Sequence, residues 1–349
     1  GNFKYAVPTG FLALCKNNMD DPAVIPSEHF NATLYTGSGG AQSITGVGFS
    51  PDLTILKRRS GISKSWMWTD KVRGAGKYLQ SDGSGAENDD IQTVNSFDAD
   101  GITLGTASPQ QFNDSGVSHV LYSWKQNGTS VTNTQGSISA QVSANTAAGQ
   151  SIMPYSGAAG NGTVGHGLSK APNLVIVKAR SNADQWRAGS IQPAASMDCT
   201  DYLRLNQTGS FVDESTTWND TAPTSSVISV GTDSATNQPG YTYVSYCFHN
   251  VEGYSKIGTY KGNGSADGTF ANCGFRPSFL MIKAQNRTAP WLVIDNARDP
   301  YNFASKFMQM NDTSTELTSH GAGPARWDFL SNGFKIRHAN GDGDVNTDN

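Results

Sequence analysis

The sequence has little charge and no long apolar run. Charged residues make up 15% of the 349 positions, the formal net charge is −4, and no block of Lys and Arg occurs. Because a nucleic-acid surface needs clustered basic residues, this composition argues against nucleic acid as a partner. No apolar run approaches the roughly 18 residues of a membrane-spanning helix, so we expect no membrane insertion. Residues 1–5 include neither an initiator Met nor a signal-peptide core, and we expect the chain to be part of a longer protein.

Motifs for catalysis are also missing. The four cysteines, Cys15, Cys199, Cys247 and Cys273, form no Cys-x-x-Cys pair, and free thiols are favoured over a disulfide framework. The histidines are dispersed, and no Gly-x-Ser-x-Gly, His-Glu-x-x-His or phosphate-loop motif is present. We therefore expect no catalytic residues, no cofactor and no enzyme activity. The alternative is a glycan-cleaving enzyme whose carboxylates lie at subunit seams.

The sequence does contain one pattern three times. An aromatic-glycine turn is followed by a spacer, then by Gly, an apolar residue, Pro and a short apolar run that ends in Lys. The Pro and Lys of the copies, six residues apart in each, are Pro51 and Lys57, Pro172 and Lys178, and Pro277 and Lys283. Trp66, Trp186 and Trp291 follow the three lysines by eight or nine residues. This regularity indicates an internal repeat, and we name its members copy one, copy two and copy three.

Short alternating runs between Gly, Asn, Asp and Ser clusters predict an all-β fold of tandem β-sandwich repeats, jelly-roll or concanavalin-like. Phe49, Leu168 and Phe275 are expected to be equivalent buried residues. The predicted divisions are an N-terminal tether at 1–30, β repeat one at 31–149 with an extra polar loop at 127–149, β repeat two at 150–253, and β repeat three at 254–349.

The third repeat is expected to be incomplete. An apolar strand closes copies one and two at residues 119–124 and 243–248, without a counterpart in copy three. Val120 follows Leu104 by 16 positions and Val244 follows Val230 by 14, so the equivalent residue falls at 350 to 352, that is, 336 plus 14 to 16. A sheet without this strand has an unpaired edge, which a continuation of the gene product or a neighbouring chain would fill.

One constellation suggests sugar binding. Its candidate ligand-binding residues are Trp66, Trp68, Asp70 and Arg73 in copy one, and Trp291, Asp295 and Arg298 in copy three. An aromatic ring stacks on the apolar face of a pyranose, while a carboxylate and a guanidinium bind its hydroxyls. The alternative is an inward-facing Trp and an Asp-Arg pair that braces a turn. Copy two keeps Trp186 but has no Asp-x-x-Arg.

An acidic stretch near the end resembles the beginning of a calcium loop. Its candidate ligands are Asp342, Asp344, Asn346 and Asp348. The stretch lacks the Gly at position six and the Glu at position twelve of an EF-hand. A solvated loop is favoured, and we expect no metal.

Several motifs in order resemble a known family. They are the entry segment at residues 3–14, the Tyr-x-Gly and Gly-Phe-x-Pro repeats, and Val251-Glu252-Gly253-Tyr254-Ser255. They are similar to tailed-phage virion proteins, common in marine phages, in which such repeats often follow a SPRY-like, concanavalin-type domain. The resemblance implies a structural protein of the virion, in a tail fibre or surface projection that attaches to a host-surface glycan. It also implies self-association as a homotrimer and contact with other virion proteins. The alternatives are a glycan-cleaving tailspike and a capsid-decorating protein without a ligand.

Overall fold

A computed structural model describes residues 23–106, 112–126, 128–190, 200–319, 326–339 and 345–347. Nearly all regular structure in these residues is antiparallel β-sheet, which confirms the predicted all-β fold. The helical segments described are a 3-10 turn, Pro26–Glu28, and one turn of α-helix, α1 (Ser215–Trp218). Across the described ranges, no helix has the length and apolarity needed to cross a membrane.

Copy one forms two sheets and a short strand pair. Its strands are β1 (Phe30–Thr36), β2 (Gln42–Ile44), β3 (Leu53–Arg58), β4 (Met67–Asp70), β5 (Lys77–Tyr78), β6 (Asn88–Asp89), β7 (Val94–Asp98), β8 (Gly101–Leu104) and β9 (Ser118–Trp124). The larger sheet has the order β1-β9-β3-β4, the smaller has the order β2-β8-β7, and β5 pairs with β6. The closing strand β9 therefore lies between the first strand and the lysine strand.

Copy two repeats this order in a wider sheet. Its strands are β10 (Val131–Asn133), β11 (Ala140–Asn145), β12 (Gln150–Ser156), β13 (Gly162–Gly165), β14 (Leu174–Ala179), β15 (Arg187–Ser190), β16 (Leu203–Arg204), β17 (Val227–Val230) and β18 (Thr242–Phe248). The order is β10-β11-β12-β18-β14-β15-β16, and β13 pairs with β17. The stretch at 127–149, expected to be a polar loop of copy one, instead supplies β10 and β11 to this sheet. Small and polar residues hide the alternation of β11, in which Ala140 and Val142 are buried around exposed Gln141.

Copy three forms two three-stranded sheets. Its strands are β19 (Phe270–Asn272), β20 (Phe279–Ile282), β21 (Leu292–Asp295), β22 (Met308–Gln309), β23 (Trp327–Leu330) and β24 (Gly333–Ile336). The orders are β20-β21-β22 and β19-β24-β23. The lysine strand β20 pairs with β21 alone among the described strands, whereas β3 and β14 each pair on both sides.

The larger sheets are buried on both faces. All six residues of β3 are buried. Leu56 lies in the core between the two sheets of copy one, whereas Ile55 faces a second core that contains residues of all three copies, including Ile176 and Val293. Burial on both faces explains why these strands read as continuous apolar runs rather than as alternating ones. Each large side chain buried in the shared core contributes about 1.5–3 kcal/mol.

Candidate functional site

A buried asparagine holds the aromatic-glycine turn of each copy. The side chain of Asn113 donates hydrogen bonds to the carbonyl oxygens of Gly40 and Gly105. Asn237 and Asn346 make the corresponding pairs of bonds in copies two and three. Because these amides are used within the protein, the asparagines are structural.

The tyrosine and glycine of the turn have equally specific roles. The hydroxyls of Tyr35, Tyr155 and Tyr260 each donate to the carbonyl that precedes this asparagine, at 2.7 Å. A Cβ on Gly37 would lie 2.3 Å from the carbonyl oxygen of Asp114, so only glycine fits. Gly157 and Gly262 meet equally close backbone atoms. The Tyr-x-Gly motif is thus a close approach of two backbone segments.

The acidic stretch near the end, for which a solvated loop is favoured over a calcium site, lies only partly within the described residues. Asn346 uses its side-chain oxygen to accept the N–H of Asn263 and its amide group to donate to two carbonyls. Asp342, Asp344 and Asp348 lie outside the described residues. Within the described ranges no cluster of three or more His, Cys, Asp or Glu is arranged to hold a metal ion.

Tryptophan indoles link the three copies in a cycle. The bonds run from Nε1 of Trp66 to the carbonyl of Gln309 (2.7 Å), from Trp291 to Arg204 (3.0 Å), and from Trp186 to Gln80 (2.9 Å). Copy one thus donates to copy three, copy three to copy two, and copy two to copy one. Backbone amides two residues before each Trp follow the same cycle, from Lys64 to Thr313, Ala289 to Thr208 and Asp184 to Ser84. The recurring Trp therefore fixes how one copy packs on the next.

A buried Asp-Arg pair in copy one receives a tyrosine from copy two. Nε of Arg73 donates to Oδ2 of Asp70 at 2.5 Å, and the hydroxyl of Tyr246 donates to the same oxygen at 2.9 Å. Arg73 also donates to the carbonyl of Trp68. Burial opposes the charge on Arg73, but the neighbouring acidic groups, Asp70 foremost, prevail and raise the pKa of Arg73. Burial, assisted by Asp70, also raises the pKa of Tyr246.

The same arrangement joins copy three to copy one. Arg298 donates to Asp295 at 2.5 Å, and the hydroxyl of Tyr122 donates to Asp295 at 2.6 Å. Burial is the main cause that raises the pKa of Tyr122. Copy two carries Ser190 at the position of these aspartates, four residues after Trp186.

Glutamate–arginine ion pairs strengthen the same two contacts. Glu87 of copy one accepts two hydrogen bonds from Arg180 of copy two, at 2.9 and 2.8 Å. Glu316 of copy three accepts two from Arg59 of copy one, at 2.9 and 3.3 Å. Burial by itself would raise the pKa of Glu87, but the hydrogen bonds and charges of Arg180 and Arg73 lower it overall.

The contact between copies two and three keeps the backbone bond of this arrangement without the ion pair. Glu87 donates its N–H to the carbonyl of Arg180, and Phe211 likewise donates its N–H to Gln285. Phe211 thus takes the place of the glutamate, and Gln285 takes the place of the arginine.

One protein-family model matches nearly the whole chain, including all three copies. The model of a domain of unknown function, DUF7483, matches residues 25–348. The chain belongs to the DUF7483 family. No curated protein matches the chain, and no solved structure matches it. Since the match spans all three copies of the pattern, the DUF7483 domain is the complete cycle of contacts and not one copy.

The predicted ligand-binding residues are buried inside the DUF7483 domain. Exposed fractions are 0% for Trp66, 2% for Trp68, 0% for Asp70, 6% for Arg73, 5% for Trp291, 0% for Asp295 and 2% for Arg298. No ring face or carboxylate among them is open to a sugar, so this structure does not present them as a glycan site. The alternative interpretation, an inward Trp with an Asp-Arg pair bracing a turn, describes their geometry.

Two of the three recurring lysines are buried as well, whereas Lys283 is half-buried. Lys57 and Lys178 are 0% exposed, and burial lowers the pKa of each to about 8. Nζ of Lys57 donates to the carbonyls of Lys64 and Thr313, and Nζ of Lys178 donates to that of Ala179. Backbone carbonyl oxygens thus take the place of water around these ammonium groups. In copy one, the bond to Lys64 also fixes the loop that follows β3.

The cysteines that the structure describes are free thiols. Cys247 is buried and Cys273 is half-buried. Burial raises the pKa of the Cys247 thiol to about 12, which makes it unreactive. Cys15 and Cys199 lie outside the described residues.

Sequence reasoning missed the tyrosines and asparagines that make these contacts. A signal was present: Asn113 precedes Val120 by seven residues, as Asn237 precedes Val244. Tyr122 and Tyr246 also occupy the same position in the two closing strands.

A large groove of about 1130 Å³ lies beside β20 in the DUF7483 domain. Two segments of copy three line it, residues 253–262 and 269–287. Large apolar side chains of copies one and two also line it: Phe30, Leu53, Ile55, Trp68, Trp124, Leu174, Ile176, Leu203 and Phe248. Phe49 and Leu168 are buried as expected, but Phe275 is half-buried because it lines this groove.

Proposed function

We propose that the DUF7483 domain is a non-enzymatic structural module of a tailed-phage virion, part of a tail fibre or surface projection that attaches to host-surface glycans. The observation that carries this proposal is the cycle of contacts. The Trp, Asp and Tyr groups that recur along the chain serve to fix one copy against the next. Because these contacts join all three copies, they should make the whole domain resistant to unfolding and to proteolysis. Such resistance suits a component of an extracellular particle.

The sequence resemblance supplies the virion setting, and the geometry supports the structural role within it. The proposed partners are other virion proteins and further copies of the same chain, as a homotrimer. Peptides of this chain should be found by mass spectrometry in purified particles of a phage that encodes it. Light scattering of the purified protein should give the mass of three chains. A monomer at micromolar concentration would contradict the homotrimer.

An exposed aromatic pair is the better candidate for glycan contact. Tyr301 is 82% exposed and Phe303 is 48% exposed. The guanidinium of Arg326 lies 4.3 Å from the centre of the Phe303 ring. The side chain of Asn302 exchanges two hydrogen bonds with the backbone of Phe329, which holds the loop. Exposed rings beside a cationic group are a suitable platform for a sugar.

A glycan array tests attachment. The purified chain should bind a subset of glycans, and the double substitution Tyr301→Ala with Phe303→Ala should abolish the signal. Ile62→Ala, at another exposed apolar residue, should leave it unchanged. Binding that survives the double substitution would exclude this pair, and release of reducing ends from a bound polysaccharide would establish the glycan-cleaving alternative.

A further inference from the structure

In copies one and two the closing strand is an interior strand of its sheet. β9 pairs with β1 on one side and with β3 on the other, and β18 pairs likewise with β12 and β14, always antiparallel. The register is the same in both. The partners are Trp124 with Leu53, Tyr122 with Ile55 and Val120 with Lys57 in copy one, and Phe248 with Leu174, Tyr246 with Ile176 and Val244 with Lys178 in copy two.

Among the described residues, copy three has both flanking segments and no strand between them. On one side is the edge of β20, whose residues Phe279 and Met281 correspond to Leu53 and Ile55 by their distance from the motif proline. On the other side are residues 255–261, which correspond to β1 and β12 because Tyr260 makes the same hydrogen bond as Tyr35.

Residues 256–261 form no strand in the structure, although their equivalents in copies one and two do. These equivalents, β1 and β12, are strands because they pair with β9 and β18. Both segments of copy three line the 1130 Å³ groove. The groove therefore occupies the position that a closing strand fills in copies one and two.

We propose that this groove binds one extended peptide strand of a partner polypeptide, paired antiparallel to β20 and to residues 255–261. Pairing on both sides would satisfy the backbone groups of the β20 edge and would convert residues 256–261 into a strand. This inference stands independently of the virion role, because it rests only on the geometry of copy three compared with copies one and two.

The closing strands β9 and β18 indicate which side chains the bound strand should have on its apolar face. It carries large apolar side chains at three alternate positions, opposite Phe279, Met281 and Lys283. The central one differs from Tyr122 and Tyr246. Their hydroxyls bond to Asp295 and Asp70 of the next copy, but in copy two that position is Ser190, and no Asp-x-x-Arg follows. A buried hydroxyl without a carboxylate partner is unfavourable, so the central residue should be Phe or aliphatic.

Charge defines the ends of the bound strand. The described lining of the groove includes five cationic residues, Lys256, Lys261, Arg276, Lys283 and Arg287, and no Asp or Glu. Acidic residues that flank the apolar positions would complement this rim. The predicted occupant is thus an apolar strand with acidic ends.

A synthetic peptide provides the test. The probe has the sequence of Thr242–Phe248 with Tyr246→Phe and Cys247→Ala, two Glu at each end, and a fluorescent label. It should bind the full chain saturably in fluorescence polarisation. The version that keeps Tyr246 should bind about tenfold more weakly, and one with Lys in place of the added Glu more weakly again. A version with Ser245→Pro, which removes a ladder donor, should not bind.

Variants of the protein locate the site. Met281→Asp should abolish binding, and Ile62→Asp, outside the groove, should not. Should Met281→Asp unfold the chain, hydrogen exchange of the unchanged protein gives the answer, because the peptide should slow the amides of residues 256–261 and 280–282. Absence of saturable binding, binding that tolerates the proline, or protection confined to other residues would overturn the proposal. Analytical ultracentrifugation gives one further contrary outcome. The proposal would also fail if the chain formed dimers in which a second copy fills the groove and if the peptide did not dissociate these dimers.

Discussion

At the scale of single residues, the carboxylate of Glu87 shows how charge joins two copies. It accepts hydrogen bonds from Arg180 of copy two and Arg73 of copy one. Removing one partner from a buried ion pair costs about 3–5 kcal/mol, because the remaining charge is left without compensation. Glu87 is 11% exposed in its side chain, so the cost should fall towards the lower end of that range.

The stability contributed by Glu87 should depend on pH. Its pKa is lowered in the folded protein, so its contribution is complete above the ordinary glutamate pKa of about 4.3 and is lost as pH falls through the lower folded value. Urea unfolding from pH 7 to pH 3 should show a smaller loss of stability in Glu87→Gln than in the unchanged protein. Glu28→Gln, at an exposed residue, should retain the full acid dependence. Equal dependence in Glu87→Gln would contradict this role.

Gly37 and Gly40 give a matched pair for the turn. A Cβ at Gly37 would lie 2.3 Å from a backbone oxygen, whereas one at Gly40 would have nothing within 4 Å. We expect Gly37→Ala to destabilise the protein by about 1–3 kcal/mol, since backbone must move to admit the methyl group. Gly40→Ala should change the free energy of unfolding by less than about 0.5 kcal/mol. Equal effects in thermal or urea unfolding would show that the close approach does not constrain the turn.

At the scale of elements, the closing strands β9 and β18 act across the contact with a neighbouring copy. Tyr122→Phe and Tyr246→Phe should each destabilise the protein by about 1–3 kcal/mol, because a buried carboxylate loses a donor. Tyr301→Phe is the control, since that hydroxyl is on an 82% exposed residue. Urea unfolding measures the three variants. Stability unchanged in both buried variants would mean that these hydrogen bonds contribute nothing to joining the copies.

Strands of the motif were predictable, whereas contacts between copies were not. The apolar runs predicted β3, β14 and β20. The turns between β7 and β8 and between β23 and β24 contain Asp-Gly and Asn-Gly, dipeptides that favour tight hairpins. Tyr122 and Asp295 are 173 residues apart, and local periodicity carries no information on such a pairing. The sequence grouped the Trp, Asp and Arg residues as one constellation, but polar and aromatic residue types alone did not reveal that both faces of their sheet are covered.

At the scale of the whole molecule, the shared core makes the three copies depend on one another. Trp68 of copy one lies 5.3 Å from Trp186 and 5.4 Å from Tyr246 of copy two, measured between ring centres. Phe279 of copy three contacts Phe30 and Tyr122 of copy one at 5.7 and 5.1 Å. In the described residues, the outer faces of the three large sheets pack against one another in the shared core, so each copy needs the others to bury this face.

Copy two should therefore not fold alone. A fragment of residues 128–253 would expose the side chains that it gives to the shared core: Ile152, Ile176, Trp186, Ala188, Leu203, Leu205, Val244 and Tyr246. At about 1.5–3 kcal/mol for each of the seven large side chains, the loss is about 10–21 kcal/mol, as large as or larger than the roughly 5–15 kcal/mol by which whole domains are ordinarily stable. The fragment should lack protected amides in hydrogen exchange, whereas residues 23–347 should unfold in one cooperative transition when followed by both tryptophan fluorescence and circular dichroism. A fragment 128–253 with a cooperative transition of its own, or separate transitions in the longer chain, would show that the copies are independent domains and that the shared core contributes little to their stability.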